Sequence, residues 1–175
     1  MIISVEEIKA LPECSGMSEA TIKRKLTAIE ELVRAYTNNN FQNRMMRIEA
    51  PAVNGVLLGH SPYFEMGDTL QISQSMVNDG LYVIKAIMEY DITLDRKLYD
   101  SPLNTVTKVI YPADVIKGVL DLMIWEKNNR QKVGIKSETL SRHSVTYYDQ
   151  DSNNQVMGYP VSLLGFLKPY MKPRF

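Results

Sequence analysis

The feature that most constrains this chain is a change of period partway along it. Up to Asn38-Asn39-Asn40 the apolar residues recur at three and four. From about Arg44 to Ile110 they alternate instead, as Leu70 and Ile72 do with Thr69, Gln71 and Ser73. Tyr82-Val83-Ile84 and Val106-Thr107-Lys108-Val109-Ile110 are rich in β-branched or aromatic residues, and Ile92, Leu94, Arg96 and Leu98 keep the period of two. A period of two means strands and a period of 3.6 means helices, so neither an all-helical nor an all-β fold accommodates both. Gly67-Asp68 and Asn78-Asp79-Gly80 supply residues that accept positive φ and read as strand connections.

Helical signals flank this β-rich stretch. Ser4 and Glu7 form a capping-box pattern for a short helix that ends near Leu11, before Pro12, Ser15 and Gly16. Ser18 caps a longer helix with a seam at Ile22, Leu26, Ile29, Val33 and Tyr36, stopped by the asparagine run. At 1.5 Å per residue that helix spans roughly 30 Å, more than one small core needs, so part of its seam is expected to face another subunit. Pro112 and Asp114 open an unusually apolar helix carrying Val115, Val119, Leu122 and Met123. Beyond Arg130 the chain turns polar, with a strand-like Ser144-Val145-Thr146-Tyr147-Tyr148. Pro160 then opens a short helix bearing Leu163, Leu164, Phe166 and Leu167, which Pro169 ends or kinks.

The expected fold is therefore α+β: a small helical bundle with a β-rich insertion and an extended C-terminal segment ending in a short helix. Residues 1–43 and 111–130 form the bundle, 44–110 the insertion, and 131–175 the C-terminal arm. A chain of 175 residues supports one principal domain rather than two full-sized ones.

Chemistry is sparsely encoded. His60 and His143 belong to no HExxH and no His/Cys cluster, so no metal is expected. Asp149, Asp151 and Asn153 imitate a calcium loop, but Asn154 stands where the loop needs glycine and Pro160 where it needs the bidentate glutamate. Neither a GxGxxG nor a GxxxxGK[ST] run is present to cradle phosphate, and no GxSxG elbow places a serine nucleophile. No cofactor and no catalytic residue is expected. A site assembled from Asp68, Asp79, Asp91 or His60 across the β-rich region is the enzymatic alternative.

Twenty basic and twenty acidic residues cancel, so nothing global draws the chain to nucleic acid or to an anionic membrane. Lys23-Arg24-Lys25 and Arg130-Gln131-Lys132 are the local basic clusters, and exposed helix ends commonly carry such charges. Cys14 is the single cysteine, which fits assembly in a reducing cytoplasm. The start, Met1 to Glu7, lacks the basic and apolar regions of a secretory signal, and no run approaches the ~18 apolar residues of a membrane span.

Three short stretches near the C-terminus carry a resemblance. They are Val133-Gly134-Ile135-Lys136-Ser137-Glu138-Thr139-Leu140, then Ser144-Val145-Thr146-Tyr147, then Leu163 to Tyr170 ending in Lys168-Pro169-Tyr170. In this order they are similar to the "vKSE", "sVtY" and terminal "LkPY" of the head-tail connector (adaptor) proteins of long-tailed bacteriophages. The N-terminal helices and the helix after Tyr111-Pro112 also look like that family's helical bundle, whereas many of its members are shorter and lack a β-rich insertion.

The resemblance implies a non-enzymatic virion protein of the neck, assembled in the bacterial cytoplasm. It implies a homo-oligomeric ring of about twelve subunits beneath the portal protein, joined below to a head-closure or stopper protein, with DNA passing through the lumen without sequence-specific binding. It places inter-subunit or portal contacts at Lys136, Glu138, Tyr147, Phe166, Leu167 and Tyr170. The bundle seam and the segment Val133–Tyr148 are the expected lateral surfaces, and removal of residues after Tyr159 is expected to leave a folded domain that no longer docks on a portal. A head-completion or tail-terminator ring protein of the same virion, with ring contacts through the β-rich insertion, is the alternative.

Overall fold

The computed structural model describes residues 2–129, 137–140, 143–146, 155–156 and 158–174. Its chain divides into two compact units, Asn39–Tyr111 and Ile2–Asn38 with Pro112–Phe175.

In the second unit, helix α1 (Val5–Ala10) starts on a complete capping box. Ser4 Oγ accepts from the Glu7 N–H at 3.1 Å, and the Glu7 carboxylate accepts from the Ser4 N–H at 3.0 Å. Those bonds hold the Glu7 carboxyl below its ordinary value. Helix α2 (Glu19–Thr37) is capped by Ser18, and Asn38 closes it in the left-handed conformation at φ 49°. Helix α3 (Ala113–Asn129) buries Val115, Gly118, Val119, Leu122 and Met123.

The seam read from the sequence lies inside this unit. Ile22, Leu26, Ile29 and Val33 are all essentially inaccessible, and Leu32 is buried beside them. Four of the five seam residues are thus taken up by the chain's own core, while Tyr36 is half-buried. The helix is long because it packs against α1, α3 and the C-terminal segment in turn.

The other unit is a closed antiparallel barrel of six strands: β1 (Gln42–Val53), β2 (Val56–Leu58), β3 (Thr69–Ser73), β4 (Gly80–Ile87), β5 (Asp91–Leu94) and β6 (Ser101–Val109). Their order around the wall is β1-β2-β5-β4-β3-β6, and β6 returns to β1 through pairs such as Arg47 with Thr107 and Ile48 with Val106. Leu57, Leu70, Ile72, Ile84, Ile92, Leu94 and Val106 fill the interior, with Ala50 and Ala52 lining β1 and Phe64 entering from the β2–β3 loop. Closure leaves no strand edge unpaired.

The α+β class holds, but a helical bundle with an insertion understates the molecule, because the β-rich stretch closes on itself around its own core. After α3 come two hairpins, β7 (Ser137–Leu140) with β8 (His143–Thr146) and β9 (Gln155–Val156) with β10 (Tyr159–Pro160). The chain then forms a 3-10 helix, Val161–Tyr170. Residues 158–174 fall in the same unit as the helices.

Candidate functional site

Of the six residues expected at partner contacts, three fall where the structure describes their side chains. Leu167 is fully buried together with Leu164, on the face of the 3-10 helix turned to the unit's core. The ring of Phe166 lies so close over Gly118 of α3 that a Cβ there would overlap it. Tyr170 Oη donates to both carboxylate oxygens of Asp114, each at 2.8 Å, and this raises the phenol's pKa above its ordinary value. Glu138 pairs with Val145 across the β7–β8 hairpin, so "KSE" and "SVTY" contribute facing strands. Lys136 and Tyr147, like Asp149, Asp151 and Asn153 of the calcium-like loop, lie outside the described residues.

The tail beyond Tyr170 completes α2. The Thr37 carbonyl accepts from the Lys172 N–H at 2.8 Å, the Ala35 carbonyl accepts from the Arg174 guanidinium at 2.8 Å, and the Asn38 amide donates to the Pro173 carbonyl at 2.8 Å. Helix C-termini leave such carbonyls without intrahelical partners, and a cation there also meets the negative end of the helix dipole. The segment after Tyr159, whose removal is expected to leave a folded domain, contributes two core leucines and the cap of α2.

A cavity of about 500 Å³ in the helical unit is lined by Arg24, Lys25, Glu31, Leu32, Glu126 and Tyr159. Lys25 Nζ lies 2.7 Å from Glu126 Oε1, and Tyr159 Oη donates to Glu126 Oε2 at 2.7 Å. Both oxygens of that carboxylate are thus engaged, which leaves it poorly suited to accept a substrate proton. Lys25, the last residue of the basic cluster, is committed to the same ion pair, while Lys23 and Arg24 remain exposed.

Of the acidic residues of the enzymatic alternative, Asp79 is set apart from Asp91. Asp68 pairs with Lys108 at 2.6 Å and accepts from the Glu65 N–H, whereas Asp79 accepts from the Ser75 N–H in the β3–β4 loop. Strand pairing puts that loop at one end of the barrel and Asp91, opposite Leu58, at the other. Among the described residues, no three His, Cys, Asp or Glu side chains form a group that would hold a metal, and no helix is long and apolar enough to cross a membrane. Cys14 is buried, which raises its thiol pKa and makes the thiolate less available.

What the sequence reading missed is an apolar surface on the barrel. The loops β1–β2, β3–β4 and β5–β6 gather at the end remote from the chain's entry and exit, where Gln42 pairs with Val109. Met76, Val77 and Tyr99 are exposed there. The buried Asn78 amide fixes them: its Nδ2 donates to the Tyr99 carbonyl at 2.8 Å, and its Oδ1 accepts from the Tyr99 N–H at 2.8 Å. Gln74 and Met76 take left-handed φ values of 61° and 67°, an uncommon cost for non-glycine residues, within this tied loop. At the entry end, Leu58, Met88 and Tyr90 are exposed around the β4–β5 turn. A methionine in a polar turn has no periodicity to betray it.

Comparison of the chain with protein-family models and with curated proteins returned no match.

Proposed function

We propose that this protein is a structural head-tail connector of a phage neck, a ring subunit that sits beneath the portal and links it to the head-closure and tail components around the DNA channel. The observation that carries the reading is the order of three short stretches, Lys136-Ser137-Glu138, Ser144-Val145-Thr146-Tyr147 and Leu167-Lys168-Pro169-Tyr170. Two structural features support it. The first two stretches contribute opposite strands of one hairpin, and the third is built into the helical unit through Leu167 and the Tyr170–Asp114 contact.

The role requires no reactive group. A modest contact repeated around a symmetric ring gives large avidity, so portal attachment does not depend on an exceptional residue in any one subunit. Glu138, Tyr147 and Lys136 are the residues proposed to meet neighbours. Phe166 and Leu167 act by holding the C-terminal segment in place.

Native mass spectrometry of the purified chain, alone and mixed with the portal protein of the same virus, tests the proposal. At micromolar concentration the chain alone is expected as a monomer, and about twelve copies join each portal ring. Stable rings formed without a portal, together with failure to bind one, would instead assign the chain to the head-completion or tail-terminator proteins.

A further inference from the structure

The two-residue turn between β1 and β2 is made by the one Asn-Gly pair of the sequence, Asn54-Gly55. Its residues take φ values of 56° and 92°, both left-handed, as a hairpin connection of this length requires. Glycine adopts such a conformation freely and asparagine tolerates it, which leaves few other pairs able to close the turn. The same pair is chemically self-reactive. The backbone nitrogen that follows an asparagine can attack the side-chain carboxamide, and glycine leaves that nitrogen unshielded because it carries no Cβ.

Both reacting groups are available. Asn54 is exposed, and among the described residues neither its carboxamide nor the Gly55 N–H has a hydrogen-bond partner. The comparable pair Asp79-Gly80 differs on each count: the Asp79 carboxylate accepts from the Ser75 N–H at 2.8 Å, and Gly80 is paired with Ile72 in the barrel wall.

The restraint on Asn54-Gly55 lies in its backbone. The Asn54 N–H donates to Asp100 Oδ1 at 2.8 Å, and the Gly55 carbonyl accepts from the Leu98 N–H at 3.3 Å. The Lys97 stem packs 3.5 Å from where a Gly55 Cβ would stand. All three holds come from the β5–β6 loop. The five-membered ring formed by the attack needs rotation about the Asn54 Cα–C bond, out of the turn conformation, so that loop must first let go.

We infer that Asn54 is a site of spontaneous modification in the folded chain, gated by local release of the β5–β6 loop. The Gly55 nitrogen bonds to Asn54 Cγ and gives up its proton, the carboxamide C–N bond breaks, and ammonia leaves carrying that proton. Water then opens the cyclic imide at either carbonyl, which yields aspartate or isoaspartate with no change of oxidation state. Isoaspartate runs the main chain through one additional carbon. It thereby lengthens a turn that sets Val53 opposite Val56 and, next to them, the interior residues Ala52 and Leu57. Either product adds a negative charge near Asp100, so the hold of the β5–β6 loop on the turn weakens once the reaction has occurred.

Peptide mapping of the full chain tests this, with one sample incubated folded at mildly alkaline pH and another unfolded in urea. The mass gain of exchanging NH2 for OH is expected at Asn54 in both, with isoaspartate identified by electron-transfer fragmentation, and roughly tenfold or more slower in the folded sample. Asp100→Ala removes one hold and should raise the folded-state rate severalfold while leaving the unfolded rate unchanged. Leu70→Val weakens the barrel core at a buried residue whose strand partners are Tyr82 and Lys108, and it should leave the folded-state rate as it is. No gain at Asn54 in the folded chain would remove the site. A folded-state rate equal to the unfolded one, or one that Asp100→Ala does not raise, would remove the gate, and acceleration by Leu70→Val as large as that by Asp100→Ala would make global unfolding the route instead.

Discussion

The side-chain amide of Asn78 joins two loops that lie 21 residues apart in sequence. Besides its two bonds to the Tyr99 backbone, its Nδ2 reaches Asn104 Oδ1 at 3.2 Å, and Asn104 in turn donates to the Ala50 carbonyl at 2.9 Å. Asn78→Ala removes the partner of the Tyr99 amide and carbonyl in a partly buried setting, a loss of about 1–2 kcal/mol. Asn78→Asp is expected to cost at least as much at neutral pH. It keeps an acceptor for the Tyr99 N–H but turns a carboxylate oxygen toward the Tyr99 carbonyl and Asn104 Oδ1, which are both acceptors. Hydrogen exchange of the barrel amides in urea measures both variants; an unchanged barrel in Asn78→Ala would show that the clamp is redundant. The sequence identifies Asn78-Asp79-Gly80 as a strand connection, and it is one. That the asparagine's partners come from Tyr99 and Asn104 is not legible there, because a local pattern carries no trace of a tertiary hydrogen bond.

At the scale of elements, the C-terminal 3-10 helix is the unusual piece. Ten residues exceed the ordinary length of this geometry, whose hydrogen bonds are poorer than those of an α-helix. Packing sustains it: Leu164 and Leu167 are interior, and Phe166 lies flush on the bare Cα of Gly118. Gly118 sits in the middle of α3, where alanine alone would favour the helix by about 1 kcal/mol. In this chain Gly118→Ala should destabilise by about 1–3 kcal/mol, since its methyl and the Phe166 ring claim the same space. In a Phe166→Ala background the sign should invert, with alanine at 118 becoming neutral or stabilising. Chemical unfolding followed through Trp125, also in α3, reads both; equal effects in the two backgrounds would show that the ring yields without cost. The apolar run at 163, 164, 166 and 167, bounded by Pro160 and Pro169, announces a helix in the sequence. Its 3-10 winding and its seat on Gly118 follow from the partner surface, which the local run does not describe.

For the molecule as a whole, the barrel is closed where the chain enters and leaves it. Gln42 pairs with Val109, the Ile110 N–H donates to the Phe41 carbonyl at 2.9 Å, and the Phe41 and Tyr111 rings meet at 4.9 Å. The sequence places the β-rich boundaries at Arg44 and Ile110, within two residues of the first and last strands. Closure is not legible, because it depends on β1 pairing with β6 some sixty residues later, and on β6 burying Thr105, Val106 and Thr107 in succession, which erases the alternation that marks an exposed sheet face. A wall without edges around its own apolar core should fold when cut free, so the segment 39–111 is expected to give a β-type circular dichroism spectrum and one cooperative thermal transition. Paired residues in adjacent antiparallel strands lie about 5 Å apart, so a Gly-Ser pair between Phe41 and Ile110 can replace residues 42–109. The shortened chain should keep the helical spectrum and, on the connector reading, its portal binding. A barrel segment that stays unfolded would mean that its closure depends on the rest of the chain.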